Sequence, residues 1–158
     1  MNVFVLDSDI ARCALYHVDK HVVKMILEST QLLNNALIAN DKNYQPVYRQ
    51  THKNHPCSLW SSKSRSNFDW LIDLGLALSE EYTYRYGKTH KCTSIIKEFK
   101  ESKSRLQIPD IGLTEFVKCM PDSYKVIDPI QSYRNYYRGD KAYIAKWSKR
   151  NIPDWWQI

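Results

Sequence analysis

The pattern of apolar and polar positions is most informative over residues 17–38. The string HVDKHVVKMILESTQLLNNALI carries His17, His21, Lys24, Glu28, Gln31 and Asn35 at alternating steps of four and three. That spacing sets all six on one face of a helix over about residues 19–38, provided helical geometry extends back to His17. Around the stripe the chain is mostly apolar, with Val18, Val22, Val23, Met25, Ile26, Leu27, Leu32, Leu33, Ala36 and Leu37. A surface helix has a wide polar face and a narrower apolar one. Here the proportions are inverted, which predicts a largely buried helix whose polar edge faces a cleft. Imidazole, ammonium and carboxylate in one buried row are costly unless they pair or serve a site. One reading is an active-site wall, with Glu28 as general acid or base tuned by His21, Lys24 and His17. The other is an internal ladder, with Lys24 paired to Glu28 at i, i+4 and the histidines satisfied in the core.

Elsewhere the pattern is simpler. Residues 2–6, NVFVL, read as extended or as a minor strand. Asp7 and Ser8 can cap a helix starting at Asp9, and Asp19 is a candidate N-cap for the long helix. A polar loop after Asp41 ends in His52-x-x-His55-Pro56-Cys57, with Pro56 suited to a first helical turn. Phe68, Leu71, Ile72, Leu78 and Tyr82 predict a helix over residues 59–86, broken near 61–66. In it Gly75 permits close approach by a neighbour, and Gly87 is the stop. A lysine-rich amphipathic helix over residues 92–102 follows, then a loop over 105–112. Thr114 caps a short helix through Phe116 and Cys119, stopped by Pro121. Asp128-Pro129 opens a last helix, IQSYRNYYRGDKAYIAKWSKR, and the tail IPDWWQI packs Trp155 and Trp156 against the body. The expected fold is all-α: a single compact domain of about five helices, any strand being confined to the N-terminus.

Composition narrows the class. A chain of 158 residues suits one domain with a proper core. Only 4 glycines are present, which favours helices over a many-stranded sheet. The formal net charge of +6 points to a polyanionic partner. With 11 Tyr and 5 Trp beside the basic residues, base stacking is within reach, although a small helical core also uses such rings. The four cysteines are scattered without a CxxC, Asp7 and Asp9 interrupt the first apolar run, and no stretch is long enough to span a membrane. These features predict a cytoplasmic protein with reduced thiols, in the host cytoplasm if phage-encoded. Phosphate-loop and dinucleotide glycine patterns are absent.

Several further residues are candidate nucleic-acid contacts. His52, His55 and Arg65 can reach a cleft and hold phosphate or base. Tyr84 and Arg85 belong to a basic, aromatic helix end, where a solvated terminus favouring cations is the plain alternative. Tyr133, Arg134, Tyr136, Tyr137, Lys146 and Trp147 interleave rings and cations, as a segment straddling a backbone requires. A docked helix with tyrosines inward and lysines outward requires the same interleaving. His52, His55 and Cys57 could ligate zinc, but the spacing lacks paired-ligand geometry and no second cluster completes it, so neither metal nor cofactor is expected. Cys57 beside an imidazole is also a conceivable nucleophile.

Two resemblances bear on function. HVDKHVVKMILESTQLL, THKNHPCSLW, YTYRYGK, MPDSYK and YRNYYRGDKAYIAKW resemble, over nearly the full chain, a family of small, mostly uncharacterised phage and bacterial proteins. The chain is also similar to the endonuclease V type of pyrimidine-dimer DNA glycosylase. That family opens its main helix with Asp-x-His and a catalytic Glu seven residues after the His, as Asp19, His21 and Glu28 stand here, and ends in a Trp/Tyr-rich basic segment. The resemblance implies a compact helical enzyme that flips a nucleotide out of bent DNA. Its nucleophile is the α-amine of the first residue, which forms a Schiff base at the sugar C1′ while the Glu assists. With Asn following, Met1 is expected to be retained and to carry that amine. Lys24 is a second candidate amine, since burial lowers a lysine's pKa. Leu27 stands where that family has a basic residue.

The first functional expectation is therefore an enzyme acting on the N-glycosidic bond of a damaged or modified nucleotide in DNA, with Glu28 as acid or base. The others are a non-catalytic DNA- or RNA-binding accessory protein and an enzyme acting on a free nucleotide or nucleoside. Oligomeric state is open.

Overall fold

A computed structural model describes residues 1–156. It is all-α, with six α-helices and no strand among the described residues: α1 (Ile10–Tyr16), α2 (Asp19–Asn40), α3 (Pro56–Ser61), α4 (Arg65–Tyr86), α5 (Cys92–Ser102) and α6 (Pro129–Arg138). At 22 residues each, α2 and α4 are about 33 Å long. They pack on each other along the middle of the molecule, with α1 and α5 on α4 and α3 on α2. Gly75 of α4 allows this closeness, because a Cβ there would stand 2.9 Å from Ile96 Cδ1 and 3.7 Å from Ser29 Cβ. The expected break falls between α3 and α4, and α4 stops at Gly87 in the left-handed conformation (φ 64°), its N–H donating to Thr83 O.

The N-terminal run is extended but pairs with no strand. Val3, Phe4, Val5 and Leu6 are buried, so their backbone groups must find partners nearby. Side chains supply several of them. Leu6 N–H donates to Cys13 Sγ, and the Cys13 thiol in turn donates to Phe4 O. Leu6 O accepts from Arg134 Nε, and Val3 N–H donates to Asn2 Oδ1. Phe4 packs among Tyr133, Tyr136 and Tyr137 of α6, which locks the run between α2 and α6.

Four details differ from the sequence expectation. Asp9 is itself the N-cap of α1, its carboxylate accepting from Arg12 N. Val18, not Asp19, is the N-cap of α2, and Asp19 is committed to long-range partners. Residues 113–119 form no helix, because Thr114 exchanges two hydrogen bonds with the Asn67 amide of α4, which holds the segment open. The last helix is only ten residues long and ends at Arg138. Beyond it the chain turns at Gly139 and crosses the α1–α2 junction, where Lys146 O accepts from Asp19 N. Trp156 is buried and Trp155 packs against Tyr16 and Tyr137; the final two residues of the expected tail lie outside the described residues.

Candidate active site

Glu28 is the centre of a polar cluster on α2. Its carboxylate is buried, and both oxygens face nitrogen. Oε2 accepts from Asn2 N–H at 2.9 Å and lies 4.0 Å from the Met1 α-amine. Oε1 pairs with Lys24 Nζ at 3.2 Å. Helical spacing puts His21, Lys24 and Glu28 on one edge, as expected. The buried run 3–6 brings the chain terminus to that edge, which no local pattern could show. The result is an open cavity of about 230 Å³, whose lining includes Met1, Asn2, His21, Glu28, Tyr136 and Lys141. Lys24 also lines it but is not the buried lysine expected: its side chain is 65 % exposed, at the rim.

His21 forms a second wall. It is buried, stacks on Phe4 at 4.4 Å, and shares a 2.7 Å hydrogen bond through Nδ1 with the Tyr137 hydroxyl. Burial, followed by the nearby His17, Lys141 and Lys24, pushes its pKa down to about 3. At neutral pH it is an uncharged imidazole and does not add to the cationic side of the cavity.

His17 is not part of the cavity. It is the C-cap of α1 in an extended conformation, so helical register does not extend back to it. Its Nδ1 lies 2.7 Å from Cys13 O, and a carbonyl only accepts, so Nδ1 carries the proton. Nε2 is then bare, buried and without a partner. Burial pushes the ring's pKa down to about 4. His17 is a neutral core residue.

Another part of the wall is the segment 117–119, which reaches the cavity through Cys119, whose sulfur lies 3.5 Å from Cys57 Sγ of α3. Asn2 Nδ2 donates to Cys119 O, and the Tyr133 hydroxyl lies 2.7 Å from Val117 O and 3.0 Å from Asn2 Oδ1. His55 caps α3, its Nδ1 accepting from Cys57 N–H. Burial, then the Met1 amine and His52, lower its pKa, and Glu28 opposes them. His55 thus stands within the electrostatic reach of the Met1–Glu28 pair. His52 is exposed in a left-handed turn (φ 52°), and Arg65 is occupied in tying α4 to Leu106 O.

Several expected nucleic-acid contacts have other duties. Arg85 is almost fully buried and donates to Glu81, Asp19, His17 O and Leu15 O, clamping the end of α4 to the α1–α2 junction. Asp19 is also held by the Ser148 hydroxyl and amide; burial alone would raise its pKa, but these bonds and Arg85 bring it below the usual range. Tyr133 and Tyr137 have no exposed surface, and Trp147 is buried with its indole N–H on Tyr16 O. None of these four can stack a base without unpacking the core. Arg134 is bound to Leu6 O and Asp7.

Tyr136, Tyr84 and Lys146 remain accessible. Tyr136 lines the cavity with Lys141 Nζ 4.8 Å above its ring, Tyr84 is half-exposed beneath Arg150, and Lys146 is exposed. Asn2, Phe4, Cys119 and Lys141 join the cavity without having been singled out. Only Lys141, inside the basic aromatic segment, carried a sequence signal.

All four cysteines are free thiols, and no helix among the described residues is long and apolar enough to cross a membrane. No match is found among curated proteins or among solved structures. The family model described as pyrimidine dimer DNA glycosylase matches residues 1–94, which hold Met1, α1 to α4 and the whole Glu28 stripe. That match covers more than half of the chain, and the protein belongs to the pyrimidine dimer DNA glycosylase family.

Proposed function

We propose that the protein cleaves the N-glycosidic bond of a damaged pyrimidine nucleotide in DNA, with the Met1 α-amine as nucleophile and Glu28 as its acid–base partner. The family points to a DNA glycosylase with DNA as substrate. The observation that carries the residue assignment is the position of the Met1 nitrogen, 4.0 Å from a buried carboxylate in an open cavity. In this reading Glu28 takes a proton from the ammonium, and the freed amine attacks C1′. The C1′–N bond breaks, and the base leaves with the bonding electron pair and gains a proton. Opening of the sugar ring gives a Schiff base, which water hydrolyses to restore the amine. While it lasts, the imine acidifies the C2′ protons, so strand cleavage by elimination can follow.

The cavity, at about 230 Å³, is below the roughly 300–1,000 Å³ of sites that engulf a small ligand. That favours a sugar presented by a flipped nucleotide over a free nucleoside enclosed whole. Lys24 and Lys141 at the cavity supply cations for the adjoining phosphates.

Borohydride trapping on a duplex carrying a thymine dimer or an abasic site is the test. The expected product is a covalent adduct mapping to residue 1. Glu28→Gln is expected to lower single-turnover excision by about 10²–10⁴-fold while leaving DNA affinity and melting temperature in place. An adduct on Lys24, or undiminished turnover in E28Q, would overturn the assignment.

A further inference from the structure

We propose that His55, Cys57 and Cys119 form a binding site for one zinc ion beside the active-site cavity. Their ligand atoms all lie within 4.8 Å of one another, and the two sulfurs are 3.5 Å apart. Two Zn–S bonds of about 2.3 Å at a tetrahedral angle separate their sulfurs by about 3.8 Å, so an ion fits with only small shifts. Two thiolates and an imidazole are the donor set that zinc favours over magnesium or calcium.

The donors come from separate parts of the chain and are individually held in place. Cys57 is fully buried in the first turn of α3. Cys119 is 62 residues later, on the irregular wall segment, fixed by Asn2 Nδ2 on its carbonyl and by its N–H on the Tyr133 hydroxyl. Asn2 Oδ1 is 3.9 Å from Cys57 Sγ but already faces Val3 N–H and Tyr133. The three side chains therefore leave a fourth position for water. The Cys57 thiol already directs its S–H at Cys119 Sγ, so the two sulfurs face each other across the position an ion would take.

His55 sets the cost. Its Nδ1 now accepts the Cys57 N–H, which places the proton of a neutral ring on Nε2. Coordination through Nδ1 uses that same lone pair, and coordination through Nε2 puts the proton on Nδ1. Either way the α3 cap is exchanged for the metal bond. In return the ion joins α3 to the wall segment that Asn2 touches and stiffens one side of the cavity.

The site does not depend on glycosylase activity, and neither does its test. The reduced full-length protein is titrated with zinc and, separately, with cobalt(II). Wild type is expected to take up one equivalent, to show thiolate-to-cobalt charge transfer, and to melt at a higher temperature with zinc present. Cys57→Ser and Cys119→Ser should each lose the charge-transfer band, and Cys92→Ser should keep it. His55→Asn keeps an N-cap oxygen while removing the imidazole, so it should fold normally and bind zinc at least about tenfold more weakly. No uptake by protein whose thiols titrate as free would overturn the proposal. So would uptake unchanged in both serine variants, affinity unchanged in His55→Asn, or a Cys57–Cys119 disulfide in the native protein.

Discussion

Replacing Arg85 with Met removes a guanidinium that has no exposed surface and holds two carboxylates at once. Four hydrogen bonds go with it, to Glu81 Oε1, Asp19 Oδ1, His17 O and Leu15 O. Breaking a buried pair by deleting one partner costs about 3–5 kcal/mol, because the other charge stays behind unpaired. Here the loss is moderated. Arg150 keeps two bonds on Glu81, and Ser148 keeps two on Asp19. The lower end, about 3 kcal/mol, is the expected value, and at about 2–4 °C per kcal/mol it amounts to about 6–12 °C in melting temperature.

The effect carries a pH signature. In the wild type Asp19 and Glu81 are held below the ordinary carboxylate range, burial opposing and their hydrogen-bonded partners prevailing. Their contribution is present above about pH 4 and is lost as pH falls through the folded values. In Arg85→Met the deficit should be largest near neutrality and shrink below about pH 4, where protonation removes the unpaired charge. Urea melts of both proteins at neutral and acid pH measure this. A loss under about 1 kcal/mol, the range of an exposed pair, together with weaker salt-sensitive DNA binding, would refute the structural role and return Arg85 to the DNA-binding surface.

Two further outcomes are expected. His17 and His21 have folded pKa values of about 4 and 3, well below an ordinary histidine's 6.5. Their stability contribution is complete above about pH 6.5 and erodes as pH falls toward those values, since the unfolded chain takes up protons first. Melting temperature should therefore decline from about pH 6.5 downward, before the carboxylates titrate, and His21→Gln should flatten the slope; a level profile to about pH 4.5 contradicts the burial argument. Gly139→Ala would drive a Cβ into the Tyr124 ring, which is fixed by its bond to Asp140 and by packing on Tyr136. Overpacking of this kind costs about 1–3 kcal/mol. The cost should disappear in a Tyr124→Ala background, and persistence there would mean that strain arises elsewhere.

The helices were legible where periodicity is local. The α2 stripe named Glu28 and its neighbours, and Pro56 and Gly87 marked a start and a stop correctly. The errors arose where a partner lies far along the chain. His17 fits the stripe by counting, but it sits in the bend before α2 and turns into the core. Arg85 reads as a solvated cation at a helix end, and only the fold brings Asp19 to it from 66 residues away. Tyr133 and Tyr137 are four apart and share the buried face of α6, while Tyr136 beside them faces the cavity. One interleaved string thus served both core and surface. Asn2 and Phe4 gave no signal at all, because their role comes from where the run 3–6 is buried rather than from any spacing.

The carboxylate of Glu28 is in contact with two successive backbone nitrogens, at 4.0 Å for residue 1 and 2.9 Å for residue 2. Trimming of Met1 would turn the second of these from an amide into an amine, already inside hydrogen-bond distance of the same oxygen. Under the proposed mechanism, the loss of one residue would thus leave an amine beside Glu28. Extension is another matter. A tag fused ahead of Met1 would convert its nitrogen to a non-nucleophilic amide, and each added residue would carry the free amine up to about 3.6 Å further along the chain. If Met1 is the nucleophile, as proposed, an N-terminal remnant is expected to abolish the borohydride-trapped adduct, and affinity handles belong at the other end.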